Sequence, residues 1–321
     1  MGQTFTWEND ATTGVYKNHA LSRELLMASA RQWKFVPFTK LDKSFTKGMG
    51  QSITLVYYNP LSDPTSAKLT EDIRVPIDQL TMGKQTVTLY EWGRGVEFTS
   101  FAQDLSKFDP ETAAQKALKD QMSQAMDVAA ATEFVSTDAK VIFIPTSLTG
   151  GTWDTDGTAS TQALANVTAD HISTIRDYMV KDLHVPFFTG DHYIGLFSTK
   201  ALRGLRNDRV IDTWHMYLRK GEKIYRGEIG QYESCRFVEI SNESALSSGV
   251  GSADVLGEGL IFGDDAVARI EVDYPALRAQ LNYTGDFGRR QAVAWVGTVG
   301  FGVKFPVATD RLARIVRITS S

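Results

Sequence analysis

Two histidines and an aspartate that lie close together in the sequence are the first candidates for a metal site. His184, Asp191 and His192 could supply two imidazole nitrogens and one carboxylate, which are groups that zinc accepts as ligands. Their spacing fits neither a pair of histidines one helical turn apart nor another common metal motif. We therefore interpret all three as solvated loop residues and expect no bound metal.

A second set of reactive groups comprises two carboxylates and one thiol. Asp154 and Asp156 could form an acid–base pair, but they lie in a Gly/Thr-rich segment, 147–160, that is typical of a loop and has nothing nearby to shift a carboxyl pKa. Cys235 is the only cysteine, which excludes an internal disulfide and a cysteine-rich zinc site. A lone cysteine in a strand usually packs as a small apolar residue. We expect none of these groups to be catalytic.

Two glycine clusters could in principle surround a phosphate group. Gly93-Arg94-Gly95 lacks the third glycine of a dinucleotide-binding motif, and the run from Gly297 to Gly302 has no P-loop ending. Strand ends and bulges explain such glycines better. No Gly-x-Ser-x-Gly motif occurs either. The sequence thus predicts no cofactor and no enzyme.

Composition narrows the classes of function further. The chain has 321 residues, 42% of them hydrophobic and 22% charged, with a formal net charge of −4. It is long enough to bury a large core, and it has no overall positive charge to attract nucleic acid or acidic lipid. The longest apolar stretch, 292–303, is broken by glycines and is too short to span a bilayer. A single cysteine suits a reducing compartment.

The N-terminal third predicts an arm followed by a long projection. We interpret 1–45 as an arm that contains a short amphipathic helix, 20–33. Apolar residues alternate with period two in 52–58 and 85–90, which indicates two strands. Turn-forming residues follow the first strand, so 46–98 is interpreted as a two-stranded excursion. An isolated hairpin is only marginally stable, and we expect it to lie against another surface.

The tip of the excursion holds apolar residues that are hard to explain on an exposed surface. We expect that surface to cover Pro60, Leu61, Leu69, Ile73, Val75 and Ile77.

A long helix follows the excursion. Asp109 suits an N-cap, Pro110 the first helical position and Glu111 the first turn. The helix is predicted to end near Phe134, which makes it nearly 40 Å long at about 1.5 Å per residue. Its predicted apolar stripe comprises Ala114, Leu118, Met122, Ala125, Met126 and Ala129.

The remainder of the chain mixes helices and strands, which predicts the α+β class. Caps at Thr168 and Ser198 begin helices that reach about 181 and 207. A further helix is predicted at 208–219, strands at 193–197, 235–240 and 260–263, a turn at 227–230, and a strand-rich tail over 266–318.

This order of elements resembles the Hong-Kong-97-type fold of tailed-phage major capsid proteins, and most of all the N-four-type major capsid family. The resemblance rests on Thr88-Leu89-Tyr90-Glu91-Trp92-Gly93-Arg94-Gly95-Val96-Glu97-Phe98, on the helix 109–134, on 227–232 with 236–239, and on 260–263. It implies an N-terminal arm at 1–45, an extended loop at 46–98, a peripheral domain from 99–139 and 263–321, and an axial domain at 140–262. The resemblance also implies that the extended loop lies on a neighbouring subunit, and we expect its apolar tip residues to form that contact.

The function that the resemblance implies is structural. Such a chain self-assembles through pentamers and hexamers into an icosahedral shell around double-stranded phage DNA, which it contacts only weakly and without specificity. The expected partners are further copies, a portal and a separate scaffolding protein, because the additional charged helical segment of a fused scaffold is lacking; a decoration protein is left open. We expect assembly in the host cytoplasm, location in the virion, and no membrane contact.

Three alternatives remain open at this point. An encapsulin-type compartment would share the fold and enclose protein cargo. A tail or baseplate protein would assemble into tubes or rings. A non-capsid hydrolase would use Asp154 or His192 and would remain a small oligomer in solution.

Overall fold

A computed structural model describes residues 34–43, 45–61, 68–69, 71, 74–75, 77–106, 109–208, 228–280, 289–308 and 311–321. The helix predicted at 20–33, residues 209–219 of the other predicted helix, and Ile73 lie outside these ranges. In the described part of the chain, no helix is long and apolar enough to cross a membrane.

The described elements are four helices, thirteen strands and two short 3-10 turns. The helices are α1 (Ser100–Leu105), α2 (Pro110–Phe134), α3 (Ala169–Lys181) and α4 (Thr199–Arg206). The strands are β1 (Lys40–Asp42), β2 (Ser52–Tyr58), β3 (Met82–Thr88), β4 (Tyr90–Thr99), β5 (Val141–Pro145), β6 (Gly151–Asp154), β7 (Tyr193–Ser198), β8 (Glu228–Tyr232), β9 (Cys235–Ile240), β10 (Gly259–Phe262), β11 (Val267–Gln280), β12 (Arg290–Val303) and β13 (Ile315–Ile318). The 3-10 turns are Val36–Phe38 and Ser252–Asp254.

The strands form three sheets of different size. The largest has seven strands in the order β6-β5-β13-β10-β7-β9-β8, in which β13 pairs with β5 and β7 with β9 in parallel. A four-stranded sheet has the order β1-β11-β12-β4, and β2 pairs with β3 in an antiparallel hairpin. Mixed sheets with separate helices confirm the α+β class.

The long helix α2 has the predicted ends. The Asp109 carboxylate accepts hydrogen bonds from the backbone N–H groups of Glu111 and Thr112 at 3.2 and 3.3 Å, and Pro110 occupies the first turn. Of the predicted stripe, Ala114, Leu118 and Met126 are buried, whereas Met122, Ala125 and Ala129 are only half-buried. The last turns are covered most completely, where Phe134 lies 5.0 Å from the ring of Phe262 and 5.8 Å from that of Phe35.

Two large hydrophobic cores lie on the two faces of the seven-stranded sheet. On one face, Ile172, Ile175 and Met179 of α3 pack in the same cluster as Ile261 of β10. The other face packs with α2 and the four-stranded sheet. There, Trp295 is almost fully buried, and its Nε1 donates to Gln121 Oε1 of α2 at 2.9 Å.

Two strands occupy segments predicted to be irregular. β6 lies within the predicted loop 147–160, where Trp153 packs 4.8 Å from Phe143 and stacks 4.2 Å from Tyr178. β8 replaces the turn predicted at 227–230, because its residues pair with β9. In both cases the strand forms because a neighbouring strand is available to pair with it, which the local sequence does not indicate.

The sheets also group residues in a way that differs from the implied domain division. β4 pairs with β12 in the four-stranded sheet, although most of it falls in the segment 46–98. β13 pairs in the seven-stranded sheet, although it falls in the segment 263–321. The arm, loop, peripheral and axial divisions therefore remain predictions. A division that follows the sheets would group β4 with the four-stranded sheet and β13 with the seven-stranded sheet.

One buried carboxylate on α2 fixes the start of the described chain. Asp127 is 2% exposed and accepts hydrogen bonds from the backbone N–H groups of Lys34, Phe35 and Val36 at 3.0, 2.6 and 3.0 Å. Burial raises the pKa of this carboxyl more than the three hydrogen bonds lower it. Asp127 thus joins the end of the predicted arm to the long helix.

Replacing Asp127 with alanine should destabilise the unassembled subunit by about 3 kcal/mol, because one buried and two partly buried N–H groups would lose their acceptor. The matched control is Asp120→Ala on the same helix, where only the side chain of Gln124 loses a partner; it should cost under about 0.5 kcal/mol. Urea unfolding curves of the three proteins measure the difference. Equal midpoints for the two variants would contradict this role of Asp127.

Candidate functional site

The β2–β3 hairpin is attached to the body through one of its faces. Val87 is 2% exposed and packs in a small cluster with Phe45, Leu89 and Ile270 of β11. Ile53 and Leu55 are partly buried against the same cluster. These contacts fix the foot of the hairpin on the four-stranded sheet and leave the opposite face of the hairpin uncovered.

The opposite face carries exposed apolar side chains at its end nearest the tip. Val56, Tyr58 and Met82 are 66%, 70% and 68% exposed, and Tyr58 and Met82 are directly paired across the hairpin. Because side chains alternate between faces along a strand, Val56 and Tyr58 point away from Leu55 and Tyr57. The sequence analysis did not predict this second group of apolar side chains, although the uninterrupted apolar run 55–58 indicates that both faces of the strand carry them.

The tip beyond the hairpin carries the residues predicted to contact a neighbour. Of these, Pro60, Leu61, Leu69, Val75 and Ile77 are exposed, the last with 81% of its surface in contact with solvent. None of the five belongs to a hydrophobic cluster of the described chain. The described residues of the tip and of the outer face of the hairpin are therefore not covered by any other described part of the subunit, a pattern typical of interaction surfaces.

The candidate metal ligands are not arranged as a site. His192 Nδ1 lies 3.3 Å from Gln231 Nε2, and His184 Nδ1 lies 3.4 Å from the backbone oxygen of Asp182. Among the residues that the structure describes, no three His, Cys, Asp or Glu side chains are grouped closely enough to hold a metal ion.

The two candidate carboxylates stabilise their own loop. Asp154 accepts hydrogen bonds from the backbone N–H and the hydroxyl of Ser160 at 2.9 and 2.8 Å. Asp156 accepts from the backbone N–H and the hydroxyl of Thr158, both at 2.8 Å. The expectation that nothing shifts their pKa is wrong for Asp156, because the hydrogen bond from the Thr158 backbone lowers the pKa of that carboxyl. A lowered pKa suits an ionised loop acceptor and not a general acid.

The sequence matches no family model, and no curated protein matches it. The structure, however, is similar over almost its whole length to solved capsid structures. It matches a chain of the cyanophage Pam1 capsid asymmetric unit with a TM-score of 0.70 and 14% identity, covering 95% of this chain and 96% of that one. It matches the capsid structure of Helicobacter pylori bacteriophage KHP30 with a TM-score of 0.68 and 13% identity, covering 99% of each chain.

A third similar structure is the capsid of Ralstonia phage GP4, with a TM-score of 0.65, 16% identity and 95% of each chain covered. The chain has the Hong-Kong-97-type capsid fold. This confirms the fold class that the order of elements predicted. The narrower resemblance to the N-four-type family stays a prediction.

Within the capsid fold, the glycine clusters allow strands to approach closely. A Cβ atom at Gly300 would come within 2.5 Å of the backbone oxygen of Thr88, and one at Gly297 within 2.6 Å of Pro275 Cα. Gly297 faces the irregular stretch of β11 between Asp273 and Ala276, as expected for a bulge. The expectation of strand ends is wrong for Gly93 and Gly95, which lie inside β4. A side chain at either position would come into close contact with β12.

The single thiol of this capsid-fold chain is inaccessible. Cys235 is fully buried in β9, and burial raises the pKa of its thiol to about 12. Because only the thiolate reacts as a nucleophile, Cys235 is suited to packing and not to covalent catalysis.

We therefore expect Cys235 to resist a thiol reagent such as DTNB at pH 8 in the native protein and to react fully in urea. A rise of the pKa from about 9 to about 12 lowers the thiolate fraction about a thousandfold. The control is the double variant Cys235→Ser/Ser52→Cys, whose new thiol replaces an exposed serine. Native wild-type protein that reacts as fast as this variant would contradict the burial of Cys235.

Proposed function

We propose that this chain is the major capsid subunit of a tailed phage, which builds an icosahedral shell around double-stranded DNA. The observation that carries the proposal is the hairpin, whose outer face and tip expose apolar side chains that the described chain does not cover. The match of fold to phage capsid structures over 95–99% of the chain supports it.

The physical reason for assembly is the apolar surface that the hairpin exposes on the face that is not attached to the body. An isolated hairpin gains little free energy in water, and burying Val56, Tyr58 and Met82 on another subunit would remove apolar surface from solvent. A hairpin that contacts a different surface of the next copy forms a head-to-tail interface. Such interfaces close into rings when the rotation between successive copies closes, and we propose that rings of five and six subunits then form the shell.

The proposed contact set combines residues from the sequence and from the structure. It comprises Pro60, Leu61, Leu69, Ile73, Val75 and Ile77 of the tip, together with Val56, Tyr58 and Met82 of the hairpin. The implied arm, extended loop, peripheral and axial domains belong to the same proposal.

The other parts of the proposal concern the partners and the location of the subunit. A separate scaffolding protein and a portal would take part in assembly in the host cytoplasm, and the finished subunit would reside in the virion. The net charge of −4 supports weak, non-specific contact with packaged DNA, since a shell that bound phosphates strongly would need an excess of cations. The buried thiol and the loop-bound carboxylates support a structural and not an enzymatic role.

Shortening the hairpin tests the proposal directly. In the structure, the backbone N–H of Asn59 donates to the oxygen of Thr81 at 3.0 Å, so Asn-Gly can replace residues 60–80 and join the strands in a tight turn. We expect native circular dichroism and an unfolding midpoint close to that of the wild type, because the two large cores contain no residue of 60–80. Sedimentation should shift from shells to small species.

A second variant serves as the control for length. Replacing 60–80 with a Gly/Ser segment of equal length keeps the reach of the tip and removes its apolar groups; it should also fail to form shells if burial of these groups drives assembly. Uniform closed shells from either variant in electron micrographs would sink the proposed role of the hairpin. Wild-type particles that hold protein cargo instead of DNA would favour an encapsulin-type compartment.

A further inference from the structure

A cavity of about 530 Å³ lies between the hairpin and the segment that connects β12 to β13. The hairpin contributes one wall and the connecting segment the other. The residues that matter for its chemistry are Tyr57, Tyr58, Lys304, Phe305, Arg311 and Arg314.

A row of aromatic and cationic groups connects the two walls of the cavity. The Arg314 guanidinium lies 4.7 Å from the centre of the Phe305 ring, and the Phe305 ring meets Tyr57 edge to face at 5.7 Å. Arg314 Nη1 donates to the backbone oxygen of Asp264 at 3.1 Å, whereas its buried Nε has no hydrogen-bond partner among the described residues. These contacts fix the plane of the guanidinium in the lining of the cavity, and a guanidinium is suited to a planar acceptor such as a carboxylate.

The cavity has an excess of positive charge. Its lining contains the cations Lys304, Arg311 and Arg314 and one carboxylate, Asp42. Lys304 is already paired with Asp265 at 2.8 Å. Arg311 is exposed, and it makes no hydrogen bond or ion pair within the described part of the chain. The two arginines therefore present donors for an anionic group beside an aromatic wall.

The tip of the hairpin has the complementary chemistry. We define the tip segment as residues 61–80; it contains the acids Asp63, Glu71, Asp72 and Asp78 and the bases Lys68 and Arg74, a net charge of −2. Its described apolar side chains, which include Val75 and Ile77, are exposed. None of the tip-segment residues that the structure describes lines the cavity of its own chain, and Pro60 is the described hairpin residue nearest the tip that does.

We propose that this cavity binds the tip segment of a second copy of the chain. A carboxylate of the incoming segment accepts charge-assisted hydrogen bonds from Arg311 and Arg314, and a neighbouring apolar side chain packs on Tyr57 and Phe305. The proposal rests on the proposed function, and it names the surface that receives the hairpin. Cavity and tip are different surfaces of one chain, so the contact is head-to-tail and can repeat around a ring.

Charge reversal on an exposed lining residue tests the proposal without disturbing the core. Arg311→Glu should raise the protein concentration needed for assembly about tenfold or more, because like charges across an interface repel. Lys47→Glu makes the same charge change at an exposed position that does not line the cavity, and it should stay within about twofold of the wild type. Adding Glu71→Lys and Asp72→Lys to Arg311→Glu should restore assembly.

Three outcomes would overturn the assignment: unchanged assembly of Arg311→Glu, an equal loss with Lys47→Glu, or no rescue by the reversed tip. The last would point to an acidic segment of another protein in the cavity.

A labelled synthetic peptide of residues 61–80 provides a second measurement on the full-length subunit. Its binding should weaken about tenfold in Arg311→Glu, as expected when an attractive charge contact becomes repulsive.

The two proposals fail in different ways. If the wild type forms no shells but binds the peptide through Arg311, the capsid function is wrong and the cavity assignment stands. If the wild type forms shells and the peptide does not bind, the cavity assignment is wrong and the capsid function stands.

Discussion

The need to cover both faces of the seven-stranded sheet governs the architecture of this chain. Within β10, Ile261 belongs to one large core, and Leu260 and Phe262 belong to the other. A sheet with apolar side chains on both faces must be covered on both. Helices α3 and α4 cover one face, and α2 with the four-stranded sheet covers the other. The body is thus a set of layers that is complete without the hairpin.

This completeness explains how the hairpin can carry an uncovered surface. Its foot is attached through a small separate cluster that includes Val87, Leu89 and Ile270, and neither large core depends on the tip. Exposed Ile77 or Met82 therefore costs the subunit little of its folding free energy, while the same groups remain free to be buried on a partner. Folding and assembly are in this sense separate steps, driven by different apolar surfaces of one chain.

Local signals predicted the elements that depend on neighbours in sequence. The ends of α2 follow from Asp109 and Pro110, and the strand at 52–58 follows from its alternation; both are confirmed. β6 and β8 were not predicted because strand formation there depends on pairing and packing with other segments. The role of Asp127 was not predicted for the same reason, because its three hydrogen-bond donors lie more than ninety residues away in the sequence. The order of elements was sufficient for the fold class.

The candidate site likewise has one part that the sequence predicts and one part that it does not. The apolar tip residues are visible in sequence, because they are too many for a solvated loop. The cavity is not, because Tyr57 and Arg314 meet only after the segment between β12 and β13 packs against the hairpin. Two chains joined by a single contact between the tip of one and the receptor of the other leave one tip and one receptor unfilled. Each added subunit leaves one tip and one receptor unfilled until a ring closes, which is the physical reason for expecting closed capsomers from this single subunit.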